Sequence, residues 1–286
     1  NNFRYLRRIQ EVKQMNCYEL RGGYYMDIEK AFTHAGKFHA DDVFATAWLK
    51  KIYGECEVIR IDRKDVNKYM NKDEYFVYDI GNGKYDHHSK ECKERRPNGD
   101  LYSSFGKIVR DTYQLVGLDK ETYLLFDKYI VSPIDVVDND GPNARISQHS
   151  DVVRALNQED LYGSEQNAAF KKAVEYAGTV LDIMINKYIK DKEIEKEAEI
   201  IAKENRGKDI IVLNKFYPTN PFKKEGIKFI VYRDFDRWNC NSTDQSNFRV
   251  SNEIKDDLIF RHETGSFASF KTKAAALKAA EISLCF

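Results

Sequence analysis

Apolar positions along the chain switch between a period of about two and a period near 3.6, and the switches mark out the elements. EKAFT at 29–33 predicts a short strand. From Asp41 to Tyr53, apolar residues at Val43, Phe44, Ala47, Trp48 and Ile52 have helical spacing, and Gly54 supplies a stop. EVIRI at 57–61 alternates as a strand does, and the aromatic, β-branched run YFVYDI at 75–80 predicts another, ended by Gly81. Residues 102–117 predict a helix with Ser103 or Ser104 as N-cap and Gly117 beyond its end. Residues 122–137 are also helical in pattern, with Pro133 expected to kink or restart the helix.

The stretch from Ser164 to about Asn205 holds no proline and is rich in Ala, Glu, Lys and Ile. It predicts one long helix or two joined ones, stopping at Gly207, with a solvated, charge-patterned second half. DIIVL (209–213), KFIVY (228–232), NFRV (247–250) and SFASF (266–270) then predict strands, and a helix beginning near Thr272 closes the chain.

Alternating strands and helices predict an α/β fold with a mostly parallel sheet, which binds ligands at the carboxyl ends of its strands. The expected organisation is an N-terminal extension of uncertain role (1–25), a catalytic domain (26–163), a helical connector (164–206) and a smaller α/β domain (207–286). Met26 opens the first α/β pattern.

Composition narrows the function classes. Lys and Arg together number 46, as do Asp and Glu, so the net charge is +0. Bulk electrostatic coating of nucleic acid is thereby excluded, and any phosphate must be held by a local site. The five cysteines form no Cys-x-x-Cys pair, which argues against a disulfide framework or a structural zinc site and for reduced thiols in the cytoplasm. No apolar run reaches the ~20 residues of a membrane helix, and no secretory signal is expected from the N-terminal residues.

Four of the six histidines fall in two tight groups. One is the run from His34 to Asp42, which also carries His39 and Asp41; the other is Asp86-His87-His88, a few residues after Asp79. A third acidic group holds Asp135 and Asp138. Imidazole mixed with carboxylate suits Mn²⁺, Co²⁺, Zn²⁺ or Fe²⁺ better than Ca²⁺, and carboxylates can bridge two ions as phosphoryl-transfer sites require. Within these groups Asp42 is an alternative to Asp41, with the His39-x-Asp41 spacing favouring Asp41. Asp135 rivals Asp138 in the same way, three residues apart on one helix face. Lys90, Lys93, Arg95 and Arg96 form a basic loop beside the second histidine group.

The runs THAGKFHADDVFATAWLK, YDIG, YDHH, NGDLYSSFG and IDVVDND, in that order, followed by VVRALN and RHETGSF, resemble the Myg-type metal-dependent nucleases of the DHH phosphoesterase superfamily. The resemblance covers about Met26 to the C-terminus. It implies an active site in a cleft between two domains. It also implies two divalent ions, Mn²⁺ first and Mg²⁺, Co²⁺ or Zn²⁺ as alternatives, held by His34, His39, Asp41, Asp79, His87 and Asp138. By the same resemblance His34 and His39 serve one ion and Asp41 the other, Asp79 bridges, and His87 and Asp138 complete the second. His88 faces the substrate phosphate, and Asp86 orients a ligand imidazole. Where DHH enzymes commonly carry Asp, this chain has His39, which matches the narrower family.

Expected substrate contacts are Lys90, Arg95, Arg96, Arg154, Arg249, His262, Gly265 and Ser266. The implied activity is hydrolysis of phosphodiester bonds in RNA or single-stranded DNA by a metal-activated water, as a 3′–5′ exonuclease. The alternatives are a small-molecule phosphohydrolase acting on pyrophosphate or a dinucleotide, and a catalytically silent metal-binding module. The expected partners are RNA, single-stranded DNA or short nucleotides, with a homo-oligomer allowed and no membrane.

Overall fold

The structure is a computed structural model, and it describes residues 28–54, 56–141, 147–244 and 252–285. The expected extension 1–25, Arg249 and the expected strand 247–250 lie outside the described residues. The chain groups into two compact units, one ending at Ile189 and the other beginning at Lys190.

In the first unit, strands β1 (Lys30–His34), β2 (Glu57–Ile61) and β3 (Tyr75–Val77) form a parallel sheet of order β2-β1-β3. The central strand buries Ala31, Phe32 and Thr33 in succession, as a parallel strand covered on both faces must. Phe32 joins Ile61, Val66 and Ile80 in a small cluster on one face, while Ala31 joins the main core on the other. That core holds helix α1 (Ala40–Tyr53), which is buried from Ala40 to Leu49, the polar Asp41, Asp42 and Thr46 included. Trp48 of α1 is fully buried against Phe105 and Phe126, and its indole N–H donates to Thr112 Oγ1 at 2.8 Å.

The helix expected over 102–117 is α2 (Ser104–Thr112) followed by a 3₁₀ turn, Tyr113–Val116, with Gly117 left-handed beyond it. The helix expected over 122–137 comes in three parts: α3 (Lys120–Phe126), a π turn at Asp127–Val131, and α4 (Ser132–Asp140). Pro133 is the cause. It has no N–H to give and its ring crowds the preceding turn, and the wider π turn relieves both at once. Helix α5 (Gln148–Ala155) completes the set before the long helix.

Helix α6 (Ser164–Glu204) is a single 41-residue helix. Its residues Phe170, Ala173, Val174, Ala177, Leu181 and Ile185 belong to the first unit's core, whereas Ala198 and Ala202 belong to a core of the second.

The second unit has a five-stranded mixed sheet of order β4-β5-β6-β8-β7, with β4 (Ile210–Leu213), β5 (Phe229–Asp234), β6 (Arg237–Ser242), β7 (Leu258–Arg261) and β8 (Phe267–Phe270). Among the described residues of this unit, only β4 and β5 pair in parallel. Period-two alternation along β5 sends Phe229 and Val231 to one core, with Ala275, Ala276, Ala279 and Ala280 of helix α8 (Lys273–Leu284). Ile230 and Tyr232 go to the other, with Phe222 of helix α7 (Thr219–Lys224). Trp238 of β6 packs partly buried against the first of these cores.

Candidate metal centre

The candidate residues gather at the carboxyl edge of the parallel sheet. His34 is the last residue of β1, and Asp79 stands two residues past β3 in a left-handed conformation with φ of 58°. A carboxylate residue adopts that region more easily than a branched one. His39 is the N-cap of α1, its backbone N–H donating to Asp42 Oδ1 at 2.9 Å. The first turn of α1 therefore brings Asp41 and Asp42 to the sheet edge, at a helix N-terminus where negative charge is favoured.

The donor atoms fall into overlapping groups, each within 4.8 Å internally: His34, Asp42 and Asp79; His39, Asp41 and Asp138; and Asp79, Asp86, His87 and His88. His34 Nε2 lies 3.2 Å from Asp79 Oδ2 and 3.5 Å from Asp42 Oδ2. His87 Nε2 lies 2.8 Å from Asp138 Oδ2, and its Nδ1 faces Asp41 and Asp79 at 3.7 and 3.5 Å. His39 Nδ1 is 3.5 Å from Asp138 Oδ1. His39 groups with Asp41 and Asp138, and its ring lies 6.2 Å from that of His34. Asp41 and Asp42, read from the sequence as alternatives, both face the cluster, in two different groups of the three.

Asp135, the rival of Asp138, points elsewhere. It accepts hydrogen bonds from Ser103 Oγ at 2.5 Å, Gly106 N at 3.1 Å and Arg96 Nη2 at 2.6 Å. Arg96 is the clearest departure from expectation. It is 5% exposed, donates to both oxygens of Asp127 at 2.7 Å and to Leu101 O at 3.0 Å, and lies 3.9 Å over the Tyr102 ring. Its charge is spent inside the protein and is not available to a substrate. Asp86 also acts differently from expectation. Its Oδ1 accepts from His88 Nδ1 at 2.7 Å and from the His87 backbone N–H, so the ring it orients is His88. Arg154 pairs with Asp151 at 3.2 Å on α5, and Arg95 donates to Gly99 O at 2.7 Å. Lys90 is exposed. His262, Gly265 and Ser266 lie on the β7–β8 turn of the second unit, where His262 Nδ1 and Ser266 Oγ each meet Thr264 Oγ1, at 2.9 and 2.8 Å.

Three side chains that the sequence reading passed over hold the His34–His39 loop. Asn157 bonds Phe38 on both sides, accepting from its N–H and donating to its C=O, each at 3.0 Å. Gln166 Nε2 donates to Gly36 O at 3.0 Å. Arg60 also donates to Gly36 O, with its guanidinium 4.7 Å over the Phe170 ring. At the other side of the centre, Ser104 Oγ donates to Asp79 Oδ1 at 2.9 Å, and its N–H to His87 Nδ1 at 3.2 Å.

The residues fit a divalent cation on a specific observation. Asp41 is wholly buried and neither of its oxygens accepts a hydrogen bond; Asp42 Oδ2 is in the same position. Buried carboxylates without donors are costly and rare. A cation between imidazoles and carboxylates removes that cost, and the mixed donor set suits a divalent ion.

Without a cation, protons compensate. Burial and the charges of Asp138, Asp79 and Asp42 push Asp41 well above the usual carboxylate range. Burial lifts Asp42 to about 7 despite the His34 charge. Burial disfavours protonating His34, but the Asp79 hydrogen bond and the Asp42 charge outweigh it and hold the ring at about 9.

Two expectations follow. Because Asp42 and His34 must lose protons to become ligands, apparent metal affinity should climb as pH rises from about 6 to about 9, with protons released on binding. Titration calorimetry in buffers of different ionisation enthalpy reads this directly, and a flat profile would contradict it. Mn²⁺ at 100 times its dissociation constant should stabilise the fold by about 2.7 kcal/mol, raising Tm by roughly 5–10 °C, and EDTA should reverse the rise. An unchanged Tm would count against a built site.

Known proteins supply a family for this chain. A family model named MYG1_exonuc, described as an uncharacterised protein family (UPF0160), matches residues 30–255. The MYG1 protein of Chlamydia pneumoniae is 27% identical over 151 residues, which are 50% of this chain and 50% of that protein. The chain thus spans about half the length of the curated relative it matches. Among solved structures, the pGpG-specific phosphodiesterase PggH from Vibrio cholerae has a TM-score of 0.32 at 9% identity, over 89% of this chain and 97% of that one. RecJ from Thermus thermophilus in complex with Mn²⁺ has a TM-score of 0.31 at 12% identity, over 97% of this chain and 55% of that one. Both structural likenesses are slight, whereas the family model spans more than three quarters of the sequence: the chain belongs to the MYG1 family described as UPF0160.

Proposed function

We propose that the chain is a metal-dependent phosphoesterase that hydrolyses phosphodiester bonds of RNA or single-stranded DNA as a 3′–5′ exonuclease. The observation that carries the reading is the set of buried, unbonded carboxylate oxygens of Asp41 and Asp42 facing His34, His39 and His87. The exonuclease name of the family model and the order of the DHH-type motifs support the substrate class. Two divalent ions held by His34, His39, Asp41, Asp42, Asp79, His87 and Asp138 would supply acidified water and a sink for phosphoryl charge.

The chain's own groups do the rest. Asp79 is shared between two donor groups and holds them in register. Ser104 fixes both Asp79 and His87, so neither can turn away when substrate arrives. Burial opposes ionising Asp86, but the His88 hydrogen bond and the N–H groups of Asn82 and His88 hold its carboxyl well below the usual range. That carboxylate accepts from His88 Nδ1 and holds the ring with Nε2 toward the open side, where a ring protonated on both nitrogens would donate to a phosphoryl oxygen.

His88→Ala should accordingly keep bound metal and lower kcat by about 100-fold or more. Lost metal in that variant would make His88 a ligand instead. The decisive assay offers the Mn²⁺-loaded protein labelled RNA, single-stranded DNA, dinucleotides and pyrophosphate. Mononucleotide ladders from RNA support the reading. Turnover of dinucleotides or pyrophosphate alone would replace it with a small-molecule phosphohydrolase, which the net charge of +0 favours over a binder of long polymers. No turnover with metal bound would leave a silent metal-binding module.

A further inference from the structure

Beside the candidate metal centre lies a cavity of about 260 Å³ lined by His34, His39 and His88 and also by Asp62, Arg63 and Tyr162. Neither Arg63 nor Tyr162 belongs to the donor set. Arg63 follows Asp62 just past the carboxyl end of β2, so it stands on the sheet edge that also carries His34 and Asp79. Among the described residues it makes no ion pair or side-chain hydrogen bond, and it is exposed. Asp62, by contrast, is occupied: it caps the Lys64 N–H and lies 3.5 Å from Lys64 Nζ. The free charge at this wall is therefore positive.

Tyr162 is 75% exposed, unusual for a ring that lines a cavity. It is nonetheless seated. A Cβ at Gly36 would stand 3.2 Å from the Tyr162 hydroxyl, so the phenol rests against the backbone of the His34–His39 loop, where Gly36 has φ of +88°. The Tyr162 N–H is tied to Asp160 Oδ1 at 3.2 Å. The result is an aromatic face that, among the described residues, is stacked on no other ring and shares a cavity with an unpaired guanidinium, next to the proposed reaction centre.

A pocket for inorganic phosphate or pyrophosphate needs cations and no exposed ring. A ring and a cation together suit a nucleotide, since every base has a face to stack. The volume, just below the range of about 300–1,000 Å³ that encloses drug-sized ligands, is on the scale of one nucleotide. We propose that this cavity is the subsite for the terminal nucleotide of the substrate, Tyr162 stacking on the base and Arg63 pairing with the phosphate. The proposal rests on the phosphodiesterase reading and adds the part of the substrate that is gripped.

The test is equilibrium binding of AMP and of ribose 5-phosphate, which lacks the base, to the Mn²⁺-loaded full chain. Tyr162→Ala should weaken AMP roughly 5- to 150-fold and leave ribose 5-phosphate unchanged. Tyr162→Phe keeps the stacking face and should bind AMP within about twofold of wild type. Arg63→Gln should weaken both ligands about tenfold. AMP bound equally by wild type and Tyr162→Ala, while the wild type still hydrolyses RNA, would overturn the subsite and leave the phosphodiesterase standing. Equal losses of AMP and ribose 5-phosphate in Tyr162→Ala would also overturn it, because the ring would then be supporting the loop. Wild-type protein that neither binds AMP nor cleaves any diester would overturn both.

Discussion

Asp79→Asn is expected to strip the centre of metal and to abolish turnover while leaving the fold intact. Asp79 Oδ2 faces His34 at 3.2 Å, and Oδ1 accepts from Ser104 and lies 3.5 Å from His87. Among the described residues, no other side chain belongs to two of the donor groups. Loss of residues that merely orient ligands costs about 10–100-fold in metal affinity, so loss of a shared carboxylate should exceed about 100-fold. Asparagine is the informative replacement because it tolerates the left-handed backbone that Asp79 adopts. Alanine would add backbone strain to the loss of charge. Metal content by mass spectrometry, alongside circular dichroism, separates the effects. Wild-type stoichiometry with full turnover would sink the assignment of Asp79 as the shared ligand.

The second large effect is expected away from the metal. Arg96→Met should destabilise the first unit by about 3–5 kcal/mol, because it leaves Asp127 and Asp135 buried without their counter-charge. That corresponds to a fall in Tm of roughly 10 °C or more. Arg96→Lys should recover little of it, since a lysine cannot serve two carboxylates, a carbonyl and an aromatic face together. Burial lifts Asp135 to about 6 even against the Arg96 charge, so full desolvation of that carboxylate outweighs what one guanidinium returns. As an acid raised on folding, Asp135 binds its proton more tightly in the native state. Its contribution to stability therefore declines as pH rises from about 4 to about 6. A substrate-binding arginine would behave in the opposite way. Its variant would keep its Tm and raise KM, and that pattern would refute a structural role for Arg96.

The clustering of the candidate donors was legible because they come from short runs. His34 to Asp42 is a strand end, a loop and a helix start, and residue types alone announce it. Asp41 and Asp42, set against each other in the sequence, both face the cluster. A helix entering the site by its N-terminus can present two successive carboxylates to two different neighbours, and the linear spacing does not show this. Arg96 was misread for a related reason. Within its own segment it is one of several basic residues in a polar loop, and its acidic partners lie 31 and 39 positions away. The clamps on the loop are more distant still: Asn157 reaches Phe38 across 119 residues and Gln166 reaches Gly36 across 130. Strand β6 escaped because its alternation holds just two apolar members, Trp238 and Cys240, among polar residues, and β7 because LIFR is a four-residue run without alternation. The π turn escaped because periodicity cannot register one extra residue per turn.

The two tryptophans of the sequence fall one to each unit, Trp48 in the first core and Trp238 beside the second. Each unit thus carries its own intrinsic fluorophore. With Trp238→Phe the emission reports on the core next to the metal centre alone, and with Trp48→Phe on the mixed sheet alone. Melting curves recorded on the two variants would reveal whether the halves unite in one cooperative transition or melt in sequence.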